Sequence, residues 1–203
     1  MQRYDRATAL VIVDLQNDFA DSAGSLAVHG GANLVPIINA EITMARAAES
    51  TIVFTQDWHP ASTPHFAKDG GPWAVHCVAE TWGAELHRDV DEEAASSAPR
   101  VRKGTNGEDG YSGFTMRDPI SGETSSTELE GLLRGAGIER VVVCGLATDY
   151  CVKATALDAA RLGFEAAVLL DAIRPVELQP GDEERAIAEM SAAGVHTWST
   201  RMR

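Results

Sequence analysis

The sequence predicts an α/β protein: a mostly parallel sheet with helices on both faces. Three observations lead there. Short apolar runs alternate along the chain with segments of helical spacing. The runs are continuous, as in strands buried on both faces. The stretches between them are long enough for the crossovers that parallel strands require. At 203 residues, 44% hydrophobic and 23% charged, the chain fits one domain, 1–203, with a sizeable core.

Residues 9–13 form the first apolar run and read as a strand. Residues 33–48 carry Leu34, Ile37, Ile38, Ile42 and Ala45 near helical spacing, so a helix follows. Residues 51–55 are a second strand. Residues 56–83 form a loop rich in Gly, Pro, His and Trp, longer than a compact domain keeps without a purpose. A short third strand is expected at 100–102. Residues 96–99 and 121–126 read as surface turns. A helix at 126–135 places Leu129, Leu132 and Leu133 on one side. The Val-rich run 140–144 is a strand and 149–162 a helix. A strand at 165–170, a helix at 182–193 and a strand at 195–198 complete the alternation.

The balance of 17 basic against 30 acidic residues gives a formal charge of −13. That excess argues against nucleic acid or an anionic membrane surface as partner. The first apolar run is too short for a signal-peptide core or a membrane span. Three cysteines, Cys77, Cys144 and Cys151, without a C-x-x-C pair argue against a disulfide scaffold and for a reducing cytoplasm.

In an open parallel sheet, ligands bind outside the carboxyl ends of the strands. Four strand ends here lead into chemically capable side chains. The first ends in Asp14, the second in Asp57 with His59 behind it, the third in Lys103. The Val-rich strand runs into a turn leading to Cys151. A cysteine at a helix start tends toward the thiolate. Asp14 is placed to take its proton, and Lys103 to hold the two negative charges together. Each also has a plainer reading, as a turn residue, a solvated lysine and a buried thiol.

Asp57, His59, His65 and His76 offer one carboxylate and three imidazoles within one loop. That set suits a divalent cation such as Zn²⁺, Fe²⁺ or Mn²⁺. His29, His87 and His196 lack such company and read as structural or surface residues. Phe19, Trp58, Trp73 and Tyr111 are candidates to wall a flat apolar pocket, against the alternative of plain packing. In the turn before Cys151, Gly145 would let the chain turn tightly. The backbone amides of Ala147 and Cys151 are candidate oxyanion donors.

Several segments occur in a fixed order: Asp14-Leu15-Gln16-Asn17-Asp18-Phe19, Asp57-Trp58-His59-Pro60, Pro72-Trp73-Ala74-Val75-His76-Cys77-Val78, Lys103-Gly104, Tyr111-Ser112-Gly113-Phe114 and Ala147-Thr148-Asp149-Tyr150-Cys151-Val152. Together they resemble the nicotinamidase/pyrazinamidase family of the isochorismatase-like cysteine hydrolase superfamily, over residues 8–198. The resemblance implies a three-layer α/β/α fold with a six-stranded, mostly parallel sheet in order 3-2-1-4-5-6. It implies Cys151 as nucleophile, Asp14 as proton shuttle and Lys103 as their electrostatic partner. It further implies one divalent metal (Zn, Fe or Mn) on Asp57, His59, His65 and His76, and a ring pocket lined by Phe19, Trp73 and Tyr111. Ala147 and Cys151 would form the oxyanion hole, with a non-proline cis peptide between Leu146 and Ala147. Relatives often carry His before the nucleophile, where Tyr150 stands here.

The implied activity is hydrolysis of nicotinamide to nicotinate and ammonia through a cysteine thioester, with pyrazinamide as a side substrate. The small-molecule substrate would be the main partner of a cytoplasmic monomer or small homo-oligomer. Two alternatives stand beside this reading. One is another small-amide or carbamoyl hydrolase of the superfamily. The other is a non-catalytic metal- or metabolite-binding protein on the same fold.

Overall fold

The structure, a computed structural model, describes residues 3–200. In chain order, β1 (Thr8–Val13) leads into a one-turn helix α1 (Asn17–Ala20) and then the long helix α2 (Val35–Ala47). β2 (Thr51–Asp57) opens the long loop. That loop closes at α3 (Glu92–Ser97), capped by the Asp91 carboxylate accepting from the Ala94 N–H at 2.8 Å. Then come β3 (Arg100–Lys103), β4 (Thr115–Arg117), β5 (Thr124–Ser126), α4 (Leu129–Gly135) and β6 (Arg140–Leu146). A π-helical turn, Thr148–Val152, precedes α5 (Lys153–Arg161). β7 (Glu165–Arg174), α6 (Asp182–Ala192) and β8 (His196–Trp198) end the fold.

The sheet runs β3-β2-β1-β6-β7-β8, and each of its pairings is parallel. With the separate β4–β5 hairpin set aside, this is the expected order 3-2-1-4-5-6. The three layers follow from the strands' own side chains. Successive residues of a strand face opposite sides. In β1, Leu10 and Ile12 therefore join a core with Leu34, Ile38 and Ile42 of the α2 side. Ala9, Val11 and Val13 join a second core with Leu129, Leu133, Ala156 and Met190, under α4, α5 and α6. Both sets are fully buried, which is why the runs read as continuous apolar segments. Truncating one such side chain, Ile12→Ala for instance, costs about 2–5 kcal/mol.

Several elements differ from the sequence reading. The helices α1 and α3 were not expected, and α3, started by the Asp91 cap, takes in Ser96 and Ser97, which read as surface turn. The β4–β5 hairpin occupies residues read as loop and turn. Residues 126–128 fall outside α4, because the Thr127 hydroxyl donates to Gly113 O at 2.6 Å and its N–H to Phe114 O at 2.9 Å, drawing the chain back along the hairpin. β7 extends to Arg174 through a register shift opposite Val143 and Gly145. All three cysteines are free thiols. None of the described helices is long and apolar enough to cross a membrane.

Strand order reverses between β1 and β6: β2 and β3 lie on one side, β7 and β8 on the other. This is the switch point at which parallel sheets hold ligands. Gly145 makes the junction tight. Its φ is +113°, and a Cβ there would stand 2.1 Å from Val13 O. Only glycine lets the end of β6 lie that close to β1.

Candidate active site

Asp14 follows β1 and is wholly buried, with a left-handed φ of 45° that turns it off the strand line. Its Oδ1 accepts from the Thr55 hydroxyl at 2.6 Å and its Oδ2 from Lys103 Nζ at 2.7 Å. Lys103, the last residue of β3, is equally buried. Its ammonium also donates to Gly110 O at 3.1 Å and lies 3.6 Å from Cys151 Sγ. Asp57 Oδ1 stands 2.8 Å from the same nitrogen, a charge contact rather than an aligned hydrogen bond. The sheet register sets this meeting, since Asp57 and Lys103 are Cα partners across β2 and β3.

Burial alone would push the Lys103 ammonium down. The carboxylates of Asp14 and Asp57 outweigh it and hold Lys103 well above its ordinary value, so it stays charged. Burial is also the main influence on Asp14 and raises its carboxyl above the usual range against the pull of Lys103. Cys151 goes up for the same reason, with Asp14 and Asp57 adding to burial and Lys103 opposing. The resting side chain is therefore a thiol, and the thiolate expected from a helix start is corrected. Cys151 sits in the π-helical turn before α5, not in its first turn, and two carboxylates face it. A base must remove its proton, and Asp14 and Cys151 present their reactive atoms within 4.8 Å of each other.

The histidines gather beside this cluster. His59, His65 and His76 are all buried, with ring nitrogens within 4.8 Å of one another. Asp57 Oδ2 lies 3.8 Å from the Nε2 atoms of both His59 and His76. His76 Nδ1 meets Ala74 O at 2.7 Å, which fixes the proton on that nitrogen and leaves Nε2 a lone pair. Both ring nitrogens of His59 are buried without a hydrogen-bond partner. Burial, then the charge of His59, lowers His65 to about 4, so its ring is neutral at pH 7. Buried imidazoles gathered at one point, with the ring nitrogens of His59 left without a hydrogen-bond partner, fit a cation. Ligands at bond lengths near 2.1 Å around a tetrahedral ion stand about 3.4 Å apart, so 3.8 Å needs little closure. Gly104 (φ +72°) allows the approach, because a Cβ there would lie 2.4 Å from His59 Nδ1.

Residues of both clusters line one pocket. Cys151, Ala147, Leu146, Asp57, His65 and His76 all line it. The Leu146–Ala147 peptide is cis, as the family resemblance implies. Phe19, Trp73 and Tyr111 all line the pocket. The Trp73 indole N–H donates to the Tyr111 hydroxyl at 2.9 Å, and Phe19 tilts against His76 at 5.4 Å between ring centres.

Trp58 does not join them. It packs against the α2-side core with the Arg102 guanidinium 3.7 Å above its ring. His29 and His196 are exposed, and His87 is buried away from the site, 3.8 Å from Asp21. The sequence reading missed Leu26, Val28 and Val176, which close the pocket's apolar side. It also missed the wall position of Tyr150, whose ring lies 5.0 Å from that of Trp73. Lone apolar residues in loops carry no periodic signal, whereas Tyr150's place beside Cys151 was available as a hint.

The isochorismatase domain family matches residues 8–202. The nicotinamidase of Escherichia coli K12 is 40% identical, with 92% of this chain and 92% of that protein covered. The solved pyrazinamidase of Pyrococcus horikoshii in complex with zinc is 40% identical at a TM-score of 0.83, covering 95% of this chain and 99% of that one. The L. infantum PnC1 structure in complex with nicotinate is 37% identical at a TM-score of 0.86, covering 96% and 93%.

Proposed function

Because the chain belongs to the isochorismatase family, we propose that this protein is an amidase that hydrolyses nicotinamide to nicotinate and ammonia. The observation that carries the reading is the pocket itself. A thiol beside a buried acid–base pair shares one aromatic-lined pocket with two members of a three-histidine cluster. The E. coli and P. horikoshii relatives, a nicotinamidase and a zinc-bound pyrazinamidase, support both the substrate and the metal.

His59, His65, His76 and Asp57 would hold one divalent cation. When bound, it supplies a Lewis-acid site that a ring nitrogen can occupy. Phe19, Trp73 and Tyr111 restrict the ring to one plane and keep water from its faces. The carboxamide carbon is thereby directed at Cys151 Sγ, a proximity effect.

Asp14 takes the thiol proton, and the S–C bond forms as the carbonyl π pair moves to oxygen. The Ala147 and Cys151 backbone amides are the donors for that oxyanion. Lys103, 3.6 Å from the sulfur, offsets the negative charge as it passes from carboxylate to thiolate. When the tetrahedral species collapses, the C–N bond breaks and Asp14 gives its proton to the leaving nitrogen, which departs as ammonia. A water then attacks the thioester. Asp14 accepts the water's proton, the C–S bond breaks, and the sulfur is reprotonated as nicotinate forms. The same steps would serve pyrazinamide as a side substrate.

The test is ammonia release from nicotinamide by reduced, metal-loaded protein, with Cys151→Ala as control. No turnover by the unaltered protein removes the proposal. Benzamide, which lacks the ring nitrogen, is expected to be a poor substrate. Equal turnover would instead favour a general small-amide hydrolase.

A further inference from the structure

Asp18 lies in the segment that carries Asp14 and Phe19, yet it touches neither the nucleophile cluster nor the pocket. It is a buried carboxylate, 8% exposed. Its Oδ2 accepts from the Cys77 N–H at 2.7 Å and its Oδ1 from the Ser25 N–H at 3.0 Å. Gly83 covers it closely: a Cβ at that position would stand 2.0 Å from Oδ2. Water is thereby kept off, and the two backbone bonds are stronger for it.

Cys77 is the consequential partner. It follows His76, and its carbonyl accepts the His59 N–H at 3.0 Å. One residue therefore joins the backbones of two histidines that face the same point. Cys77 holds a left-handed φ of 44°, a region that non-glycine residues adopt only when something compensates. The Asp18 carboxylate is the charged acceptor on that residue's amide. Its other oxygen fixes Ser25, at the start of the stretch that carries Leu26 and Val28 to the pocket.

We propose that Asp18 is a positioning residue for the histidine cluster, holding Cys77 at its left-handed φ and through it setting His59 and His76. The proposal rests on the metal reading of that cluster. Outer partners that orient ligating groups typically change metal affinity ten- to a hundredfold when removed.

The experiment is a titration of metal-stripped protein with Co²⁺, read by ligand-field absorption, for the unaltered protein, Asp18→Ala, Asp21→Ala and Asp18→Ala/Cys77→Gly. Folding is checked by far-ultraviolet circular dichroism. The expected result is a ten- to hundredfold loss of Co²⁺ affinity in D18A. The Asp21 carboxylate accepts from the Ala23 N–H within the neighbouring turn and faces His87 at 3.8 Å, not the histidine cluster, and D21A is expected to match the unaltered protein. Glycine adopts a positive φ at no steric cost, so C77G in the D18A background is expected to recover most of the lost affinity. A generic loss of packing would be made worse by that second truncation.

Unchanged affinity in D18A overturns the proposal. So does an equal loss in D21A, or a double variant that binds as weakly as D18A. If D18A alone does not fold, recovery of a folded, Co²⁺-binding double variant supports the proposal and continued failure overturns it. Failure of the unaltered protein to bind Co²⁺ would instead sink the metal reading. Failure to turn over nicotinamide would sink the proposed activity without touching this result.

Discussion

Replacing Lys103 by Met removes the one charge that three acidic groups share, while keeping most of the side chain's volume. The ammonium lies 2.7 Å from Asp14, 2.8 Å from Asp57 and 3.6 Å from Cys151 Sγ, with no solvent exposure. At 3.6 Å and an effective dielectric of about 20, unit charges attract by roughly 4–5 kcal/mol. The thiolate forms only during attack, so this attraction belongs to the transition state more than to the resting thiol. At about 1.4 kcal/mol per decade, its loss lowers kcat/KM by about 10³-fold. The loss is compounded because Asp14, without its cation, holds a proton more firmly, so less of it is ionised to accept the thiol proton. The assay is ammonia release from nicotinamide at matched, measured metal content. The rate of iodoacetamide alkylation of Cys151 provides a second readout that needs no substrate binding. Both rates are expected to fall. A folded, metal-replete K103M within tenfold of the unaltered protein would refute the electrostatic role.

The pH dependence follows from Asp14. It must be ionised to accept the thiol proton, and burial raises its carboxyl above the ordinary value. Activity is therefore expected to fall, as pH drops, through a pKa above 3.8, seen as the acid limb of kcat/KM at constant metal content; full activity down to pH 4 contradicts this. His65 is lowered to about 4 by burial and its histidine neighbours, so on the proposed metal reading it would be a neutral ligand at pH 7. His65→Ala is expected to weaken Co²⁺ binding by at least about tenfold, and an unchanged titration removes it from the site. Gly145→Ala places a Cβ 2.1 Å from Val13 O at a φ of +113°. Strain and clash together cost about 3 kcal/mol, a fall in Tm of roughly 6–12 °C for a chain of this size; a Tm within 2 °C shows that the junction can relax.

The parts of the fold that were legible in the sequence are those whose order is set by burial on two faces. β1 and β6 are apolar at consecutive positions because each residue meets one of the two cores. β4 and β5 were not legible: Thr124–Ser126 is exposed throughout, and Thr115–Arg117 shows no alternation. Long-range partners hold that hairpin instead, among them the Asp109–Arg117 ion pair and the Thr127 bonds. The same contrast runs through the site. Asp14, Asp57, Lys103 and Cys151 stood out because each lies at or just beyond the carboxyl end of a strand. Leu26, Val28 and Val176 reach the pocket on loops whose course no local pattern fixes. Trp58 was misread as a pocket residue although alternation argues against it. In an extended Asp57-Trp58-His59 segment, the first and third side chains share one side and the second takes the other. Asp57 and His59 meet in the site, and Trp58 goes to the core.

Asp57 makes the two halves of the site one electrostatic unit. Its Oδ1 faces the Lys103 ammonium at 2.8 Å, and its Oδ2 faces the Nε2 atoms of His59 and His76 at 3.8 Å. Burial is the largest influence and works to raise this carboxyl, but Lys103, His59 and His76 together outweigh it and hold Asp57 well below the usual range. Asp57 is thus ionised before any cation arrives, ready to act as a ligand without first losing a proton. Asp14, one strand away, has the opposite balance. It shares the same lysine, lacks the imidazoles, and is raised. Two buried carboxylates around one ammonium therefore divide their tasks by environment, as acid–base pairs do when their surroundings push them apart. On the proposed mechanism, one would be charged to hold a metal and the other would gain and lose the reaction's proton. The sheet register that pairs Asp57 with Lys103, together with the buried switch point beneath Asp14, is what enforces that division.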